Sequence, residues 1–247
     1  MISWITMQPS TLFSNYRIES RRADHQIVFT FRWAHLLTFS RDLQDAEHIE
    51  VKLKQSGGQN VLFFNYVTKT YYDSSCNNQK ELIIEMIPPD RIALIENPAS
   101  ICMPDTYIVL PDLTDLRHTA EGYKSINRSL TLSANMMSKF KIEAKGAYST
   151  AVTSYEGLQH PQLEGHDMSD RDLEEFSSVL IRSDDFVRFL SCVSLEPDYV
   201  ICSMTHDQQL SFLVYLTLDV YQNSDAPIRP LHPTQCQLTC QVPLYQD

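Results

Sequence analysis

Four side chains that could bind a metal ion lie close together near residue 160. A polar loop between two predicted strands, rich in His, Gly and Pro, contains His160, Glu164, His166 and Asp167. Imidazole nitrogens and carboxylate oxygens are common ligands of catalytic zinc. A metal-activated water in this loop would make the protein a small metal-dependent hydrolase. The same residue types in a polar loop more often face solvent, so the sequence leaves both interpretations open.

No other pattern in the sequence is typical of a catalytic site. Gly-x-Ser-x-Gly, Gly-x-Gly-x-x-Gly, Walker and His-Glu-x-x-His motifs do not occur. With only 6 glycines in 247 residues, a glycine-rich loop that cradles phosphate is not expected. The six cysteines form no Cys-x-x-Cys pair and lie mostly within apolar patterns, which indicates reduced, buried thiols. From these patterns we assign no catalytic residue, cofactor or metal, although a nucleophile and base brought together from distant segments would leave no such pattern.

The charge of the chain limits the partners that it can bind. Asp and Glu number 31 against 20 Lys and Arg, so the formal net charge is −11. Generic nucleic-acid binders are basic, and any contact with DNA must therefore use a local cationic surface on an acidic body. Apolar runs stay well below the roughly 18 residues of a membrane-spanning helix, and residues 1–6 lack the features of a signal peptide. We expect no membrane association.

Apolar periodicity predicts three short helices and many strands. Helices are predicted at 33–45 and 112–126 and from Ser183 onward, with Asp112 and Ser183 as N-caps. Strands are predicted at residues 1–7, 16–20, 25–32, 48–55, 60–69, 80–87, 107–110, 129–134, 138–145, 147–155, 172–181, 198–204, 209–220 and 236–243. The proline-containing segment 88–106 suits an extended connector between domains, and 221–235 suits an exposed insertion.

One apolar pattern occurs twice, at a constant offset of 150 residues. Residues 27–67 superpose on 177–217 without a gap, so that Arg32 falls on Arg182 and Val51 on Ile201. Because the helical and strand periods stay in phase, we expect two copies of one α+β unit. The second copy is preceded by a predicted strand, helix and two further strands, and the first copy lacks them. We therefore expect the chain to begin partway through its first domain.

A strand, a helix and three strands, followed by the same five elements again, with the whole set occurring twice in a chain, resemble the arrangement of the sliding-clamp fold. Within that fold, residues 107–159 resemble the Hus family, one of three subunits of the nine-one-one DNA-damage checkpoint clamp. The resemblance is carried by Ile108-Val109-Leu110-Pro111, the helix Leu113 to Ile126, Ser129 to Asn135, Phe140 to Glu143, Ser149 to Thr153, Trp4, Leu12-Phe13, Tyr16 to Glu19 and Leu238 to Pro243. It covers most of the chain through apolar spacing rather than a catalytic signature. The missing opening elements and the 221–235 insertion are two departures from the family pattern.

The resemblance implies an α+β fold of two repeated domains, each with antiparallel sheet outside and helices inside. Residues 1–90 would form an N-terminally truncated first domain, 91–106 the inter-domain connector and 107–247 the second domain. The protein would be a non-catalytic subunit of a ring loaded on damaged DNA, acting as a platform for damage signalling and repair. It would act in the nucleus and also occur in the cytoplasm. A clamp-derived interaction module that closes no ring is a further alternative.

The partners implied by the resemblance are two homologous clamp subunits, double-stranded DNA in the channel, a clamp loader, and repair or signalling proteins. Phosphates would be contacted by cations on the inner helices, without base readout. These DNA-facing residues would be Arg32, Arg41, Arg117, Lys124, Arg182 and Arg188. Asp42, Asp45, Asp112, Asp115, Asp184 and Asp185 accompany them, so the positive lining is expected to be thin.

Two further surfaces follow from the resemblance. Docking proteins would use an apolar groove under the connector, near Ile92, Leu94, Ile95 and Ile101. These side chains could equally pack on the two domains. Neighbouring subunits would pair along the strand edges at 142–155 and 60–69.

Overall fold

The structure is a computed structural model that describes residues 1–19, 26–69, 74–88, 90–92, 104–161, 172–218 and 234–245. The chain divides into two compact units. Unit 1 comprises Met1–Tyr16 together with Ile101–Asp247, and unit 2 comprises Arg17–Ser100.

The helices and strands are short and alternate along the chain. The helices are α1 (Pro9–Leu12), α2 (Trp33–Leu43), α3 (Leu113–Lys124) and α4 (Ser183–Leu190), and α4 continues into a 3-10 turn at Ser191–Leu195. The strands are β1 (Ile2–Thr6), β2 (Phe29–Thr30), β3 (Ala46–Ser56), β4 (Gln59–Lys69), β5 (Ser75–Met86), β6 (Thr106–Val109), β7 (Ser129–Ala134), β8 (Phe140–Lys145), β9 (Thr150–Tyr155), β10 (Ser177–Arg182), β11 (Tyr199–Thr205), β12 (Gln209–Leu218) and β13 (Thr234–Val242). Among the described residues, no helix has the length and apolar character needed to cross a membrane.

Unit 2 packs α2 against one antiparallel sheet of order β2-β5-β4-β3. Its core consists of Phe39 from the helix and Phe64, Tyr66 and Leu82 from the two central strands. The rings of Phe39 and Phe64 lie 4.8 Å apart, a contact typical of an aromatic pair in a core. Alternation of side chains along the strands places these residues on the helix-facing side of the sheet.

Unit 1 contains two sheets and the helix pair α3 and α4. The sheet orders are β1-β13-β12-β11-β6 and β10-β7-β8-β9, with antiparallel neighbours throughout. Both sheets contribute alternate side chains to one core, in which Phe140, Phe186 and Phe212 are fully buried. The rings of Phe189 and Phe212 stack at 3.9 Å, which joins α4 to β12. This core holds α3 and α4 side by side.

Most predicted elements are present, but several differ in length. The strand predicted at 25–32 is reduced to β2 (Phe29–Thr30), and β5 begins at Ser75 rather than at residue 80. The helices predicted at 33–45 and 112–126 are α2 and α3. Residues 16–19 form no strand, and 172–176 form a turn before β10. At the predicted Ser183 cap, Arg182 is the N-cap and Ser183 is the first helical residue, where its hydroxyl donates to the Asn127 carbonyl at 3.1 Å.

The gapless superposition of the two repeats is wrong in one strand. Val51 of β3 packs against the unit 2 core, whereas Ile201 of β11 lies on the opposite side of its sheet from the core residues Val200 and Cys202. The β3–β4 turn has two residues, Gly57 and Gly58, and the β11–β12 turn has three, because Thr205 pairs with Gln209. Since side chains alternate with period 2, one residue of slip exchanges the faces of a strand.

Two predictions about sheet edges and domain limits require comment. The segment 60–69 is not an edge, because β4 lies between β3 and β5. Residues 1–7 were expected in the first domain, but Ile2–Thr6 pairs along its length with β13 of unit 1. The assignment of 1–90, 91–106 and 107–247 to two clamp domains and a connector stays a prediction.

Candidate nucleic-acid interface

The helix α3 begins at a complete N-cap. The Asp112 carboxylate accepts hydrogen bonds from the backbone N–H of Thr114 at 2.8 Å and of Asp115 at 3.0 Å. This satisfies two of the donors that a helix start leaves free, and the negative charge suits the helix dipole. Leu113 and Leu116 are buried on the side of the helix that faces the core. Arg117 and Lys124 lie outside this buried stripe.

The helix α4 lies beside α3 and buries an aromatic stripe. Phe186, Phe189 and Leu190 are buried in the unit 1 core. Asp184 and Asp185 occupy the first turn and Arg188 the last, an order of charges that the helix dipole favours. Arg182 directly precedes the helix, so its cationic side chain lies at the same end as the two carboxylates.

Three of the four unit 1 cations predicted to face DNA lie beside a carboxylate. Arg117 Nε donates to Glu121 at 2.9 Å, one turn along α3. Arg188 lies 3.6 Å from Asp185, and Lys124 forms an ion pair with Asp184 that links α3 to α4. Within the described part of the chain, Arg182 makes no ion pair. The local field is therefore weakly positive at Arg182 and largely cancelled elsewhere.

The Lys124–Asp184 pair perturbs the carboxylate. The hydrogen bond from Lys124 lowers the pKa of Asp184 below its ordinary value of 3.8, and the charges of Lys124, Arg182 and Arg188 add to this effect. A depressed pKa means that the interaction stabilises the fold above the ordinary value and is lost as the pH falls through the lowered one. The pair is exposed, so its contribution to stability is small and sensitive to salt.

Unit 2 carries the other two predicted cations on or next to α2. Arg32 is the N-cap residue, and its carbonyl accepts the His35 N–H at 3.0 Å. Arg41 lies in the last turn, where a cation is favoured by the helix dipole. Both side chains are exposed, and neither forms an ion pair with another described residue. The neighbouring Asp42 is paired with Lys80, and this hydrogen bond raises the pKa of the lysine.

The predicted docking groove falls mostly outside the described residues. Ile92 is buried, with 3% of its surface exposed. Leu94, Ile95 and Ile101 lie outside the described residues, so the groove stays a prediction.

His160, the first of the four possible metal ligands near residue 160, is hydrogen-bonded through both ring nitrogens. His160 Nδ1 lies 2.8 Å from the Tyr107 carbonyl and donates to it, while Nε2 accepts the Ser138 N–H at 3.2 Å. Both ring nitrogens are thus engaged by the backbone. Glu164, His166 and Asp167 lie outside the described residues. Among the residues that are described, no group of three His, Cys, Asp or Glu side chains could hold a metal ion.

Sequence reasoning located one open strand edge and missed others, among them β3 and most of β5 in unit 2. The strand β9 ends its sheet, within the predicted range 142–155. On the helix side, Thr153 and Tyr155 hydrogen-bond to Tyr123 and Thr119 of α3, at 2.6 and 3.2 Å. In unit 2, β5 pairs with β4 on one side, and on the other side β2 covers only Met86 and Glu85. Polar and apolar residues alternate along Ser75–Met86 as they do in any half-buried strand. The sequence pattern therefore does not reveal that this strand lies at an edge.

Comparison with known proteins places the chain in a family. A sequence model described as "Hus1-like protein" matches residues 1–224. The "Checkpoint protein hus1" of Schizosaccharomyces pombe is 24% identical over 222 residues, which is 87% of this chain and 76% of the relative. The "Checkpoint protein hus1 homolog" of Dictyostelium discoideum is 27% identical over 219 residues, 86% of this chain and 75% of the relative.

The fold agrees with that of a solved sliding clamp. The crystal structure of PCNA from Thermococcus kodakaraensis matches with a TM-score of 0.51 and 17% identity, covering 99% of this chain and 82% of that one. At this identity the match bears on the fold alone, and the sliding-clamp fold expected from the sequence is confirmed. The chain thus belongs to the Hus1-like protein family and has the fold of a sliding clamp.

Proposed function

We propose that the protein is a non-catalytic subunit of a checkpoint clamp that joins two homologous subunits into a ring around double-stranded DNA. Family membership and the clamp fold support the clamp subunit. The observation that best supports assembly into a ring is the open edge of β9. Loading by a clamp loader, service as a platform for signalling and repair proteins, and action in the nucleus and cytoplasm belong to the same proposal.

The β9 edge has the properties of a subunit contact. Among the described residues, no strand pairs with its outer side. The Gly146 N–H donates to the Ser149 carbonyl at 2.7 Å, and alternate pairs follow along the β8–β9 hairpin. By this alternation the backbone groups of Val152 and Ser154 point away from β8. The Val152 side chain is 53% exposed, so an added strand would find both hydrogen-bonding groups and an apolar contact.

A ring requires that each subunit offer two different edges. Unit 2 offers two long edges of this kind among the described residues, β3 and the stretch Ser75–Ile84 of β5, each of which pairs on one side only. We take β5 as the second contact. Two unlike edges on one chain produce head-to-tail association, which closes a ring when the rotation between subunits permits. The same edges would be an aggregation hazard in a protein that stayed monomeric.

The assembly is tested by coexpressing the chain with two homologous clamp subunits. Size-exclusion chromatography with light scattering should give one complex with one copy of each subunit. Val152→Pro removes an N–H on the open side of β9 and should shift the complex toward free subunits, because proline cannot donate to a strand pair. Val152→Ala is the matched control, since it keeps the N–H and should retain most of the complex.

Circular dichroism of each free variant separates loss of assembly from loss of folding. A chain that stays monomeric with both partners present would contradict the proposal. Equal assembly of the proline and alanine variants would leave the clamp subunit standing and remove β9 as its contact.

A further inference from the structure

A groove in unit 1 lies beside the end of β6 and the start of β11. It consists of two adjoining cavities of about 380 and 610 Å³ that share Val109, Asp198 and Tyr199. These volumes are within the range of sites that hold one or two side chains of a ligand. The larger cavity lies on the side of the β11 sheet that faces away from the core, and the smaller one reaches the start of α3 at Asp112 and Leu113. No residue of the β9 edge lines either cavity. We call it the tyrosine groove.

Two stacked tyrosines form its floor. Tyr199 and Tyr215 face each other across β11 and β12, with ring centroids 4.6 Å apart and planes 21° apart. Tyr199 is 38% exposed, although Ile201 beside it is buried, with only 3% of its surface exposed. Burial raises the pKa of Tyr215, and the nearby Tyr199 adds to the effect, so its hydroxyl stays protonated at neutral pH. Partly exposed aromatic rings with free hydroxyls are typical anchors at protein interfaces.

The opposite wall is held in place by backbone hydrogen bonds. The Val109 N–H donates to the Gln159 carbonyl at 2.9 Å, and His160 donates to the Tyr107 carbonyl at 2.8 Å. His160 and Pro161 thereby form a wall along β6. A groove that exists before binding lowers the ordering cost of a ligand.

The charges that line the groove are all negative. Asp112 and Glu196 line the smaller cavity, and Asp198 lines both. No Lys or Arg occurs among the lining residues in the described part of the chain. Asp198 accepts a hydrogen bond from Thr217 at 2.7 Å, which fixes its position without neutralising it. An apolar floor with a carboxylate rim complements a ligand that is both apolar and cationic.

We infer that the tyrosine groove binds a linear peptide of a partner protein, with one aromatic or large aliphatic side chain next to Lys or Arg. The apolar side chain packs on Tyr199 and Tyr215. The cation lies beside Glu196 and Asp198. This inference is independent of ring assembly, because no residue that lines the groove belongs to β9 or β5.

The test is a selection from random 12-residue peptides displayed on phage, using the intact chain as bait. Clones are then rescreened on the double variant Tyr199→Ala/Glu196→Gln. The matched control is Tyr148→Ala/Glu121→Gln, which changes the same residue types at the exposed tip of the β8–β9 hairpin and on α3. Affinities of synthesised clones are measured by fluorescence anisotropy at 50 and 300 mM salt.

We expect the selection to yield a group of clones whose peptides combine Lys or Arg with an aromatic or aliphatic residue. These should bind the groove variant at least about tenfold more weakly, keep their affinity for the control, and weaken with salt. If the double variant does not fold, Glu196→Gln alone serves, with an expected loss of about threefold. Clones that bind groove and control variants equally would overturn the inference. So would groove-dependent clones without a cation, or self-association of the chain that the groove variant abolishes.

Discussion

At the residue scale, pairing decides how much of each cation on α3 and α4 is available to a phosphate. Arg117 and Lys124 each donate to a carboxylate, and of the four unit 1 cations predicted to face DNA only Arg182 makes no ion pair with another described residue. A phosphate that approaches Lys124 must compete with Asp184, whose pKa is lowered by the hydrogen bond from that lysine. Such pairs are exposed and therefore labile. We therefore expect the surface of α3 and α4 to attract DNA only weakly.

His160, one of the four possible metal ligands considered from the sequence, has a structural role. It holds the segment 157–161 to β6 and to the β7–β8 turn through two backbone groups. His160→Ala should lower the free energy of unfolding by roughly 1–2 kcal/mol, because a carbonyl and an N–H lose their partner. The measurement is urea unfolding. His118→Ala, on the exposed face of α3, is the control and should change stability by less than about 0.5 kcal/mol.

At the element scale, the two hairpins show how a turn sets the faces of a strand. In the β3–β4 turn, Gly57 and Gly58 have φ of 56° and 80°, the left-handed conformation that a two-residue turn requires. In the β11–β12 turn, Asp207 takes the left-handed position at φ 49° within three residues. The extra residue moves β11 by one position relative to β3 and exchanges its inner and outer side chains.

Two glycine substitutions of opposite expected sign test this interpretation. Gly58→Ala should lower the free energy of unfolding by about 1–2 kcal/mol, because a Cβ is strained at φ 80° although no atom lies within 4 Å of it. Gly122→Ala, in α3 and also without a neighbour within 4 Å, should raise it by about 0.5–1 kcal/mol. Urea unfolding measures both. Destabilisation by both substitutions would mean that backbone conformation is not the controlling factor.

Unit 2 also exposes part of its helix-facing sheet surface. Ile49 and Leu53 lie on the same side of the sheet as the core residue Val51, and are 47% and 43% exposed. Trp33 of α2 is 69% exposed, whereas Ser183 at the corresponding position of α4 is fully buried. In unit 1, α3 lies beside α4, and unit 2 shows no counterpart of α3 among its described residues. The partial first domain stays a prediction.

At the scale of the whole molecule, an acidic chain that holds DNA, as proposed, would have to do so with few contacts. The net charge is −11, and the stretches 112–124 and 182–190 contain five carboxylates against four Lys and Arg. Affinity for free DNA should therefore be low and steeply dependent on salt. Under the proposed function, enclosure of DNA by the ring would supply the retention that electrostatics does not.

A comparison of two arginines tests the helix surface in the assembled complex. Arg182→Ala should weaken binding of labelled duplex DNA about threefold at 50 mM salt and reduce the log–log salt slope by about 1. Arg117→Ala should have a smaller effect because Glu121 already neutralises it. Lys145→Ala, on the opposite side of the sheet, is the control. Equal losses for all three variants would place DNA elsewhere.

The sequence by itself determined the elements and their repetition. Apolar periodicity marked α2, α3 and most strands, and the Asp112 cap is present as predicted. These features depend on neighbours within a few residues, so local pattern is sufficient. The family resemblance likewise followed from spacing along the chain.

Only the tertiary structure decided which strands are edges, which cations are free and which side of β11 faces the core. The Lys124–Asp184 pair, the pairing of β1 with β13 and the stacking of Tyr199 on Tyr215 join residues that are distant in sequence. Such contacts depend on the register and order of strands, which a single residue in a turn can change. Periodicity specifies that a strand has two faces, and the packing of the whole unit selects the one that is buried.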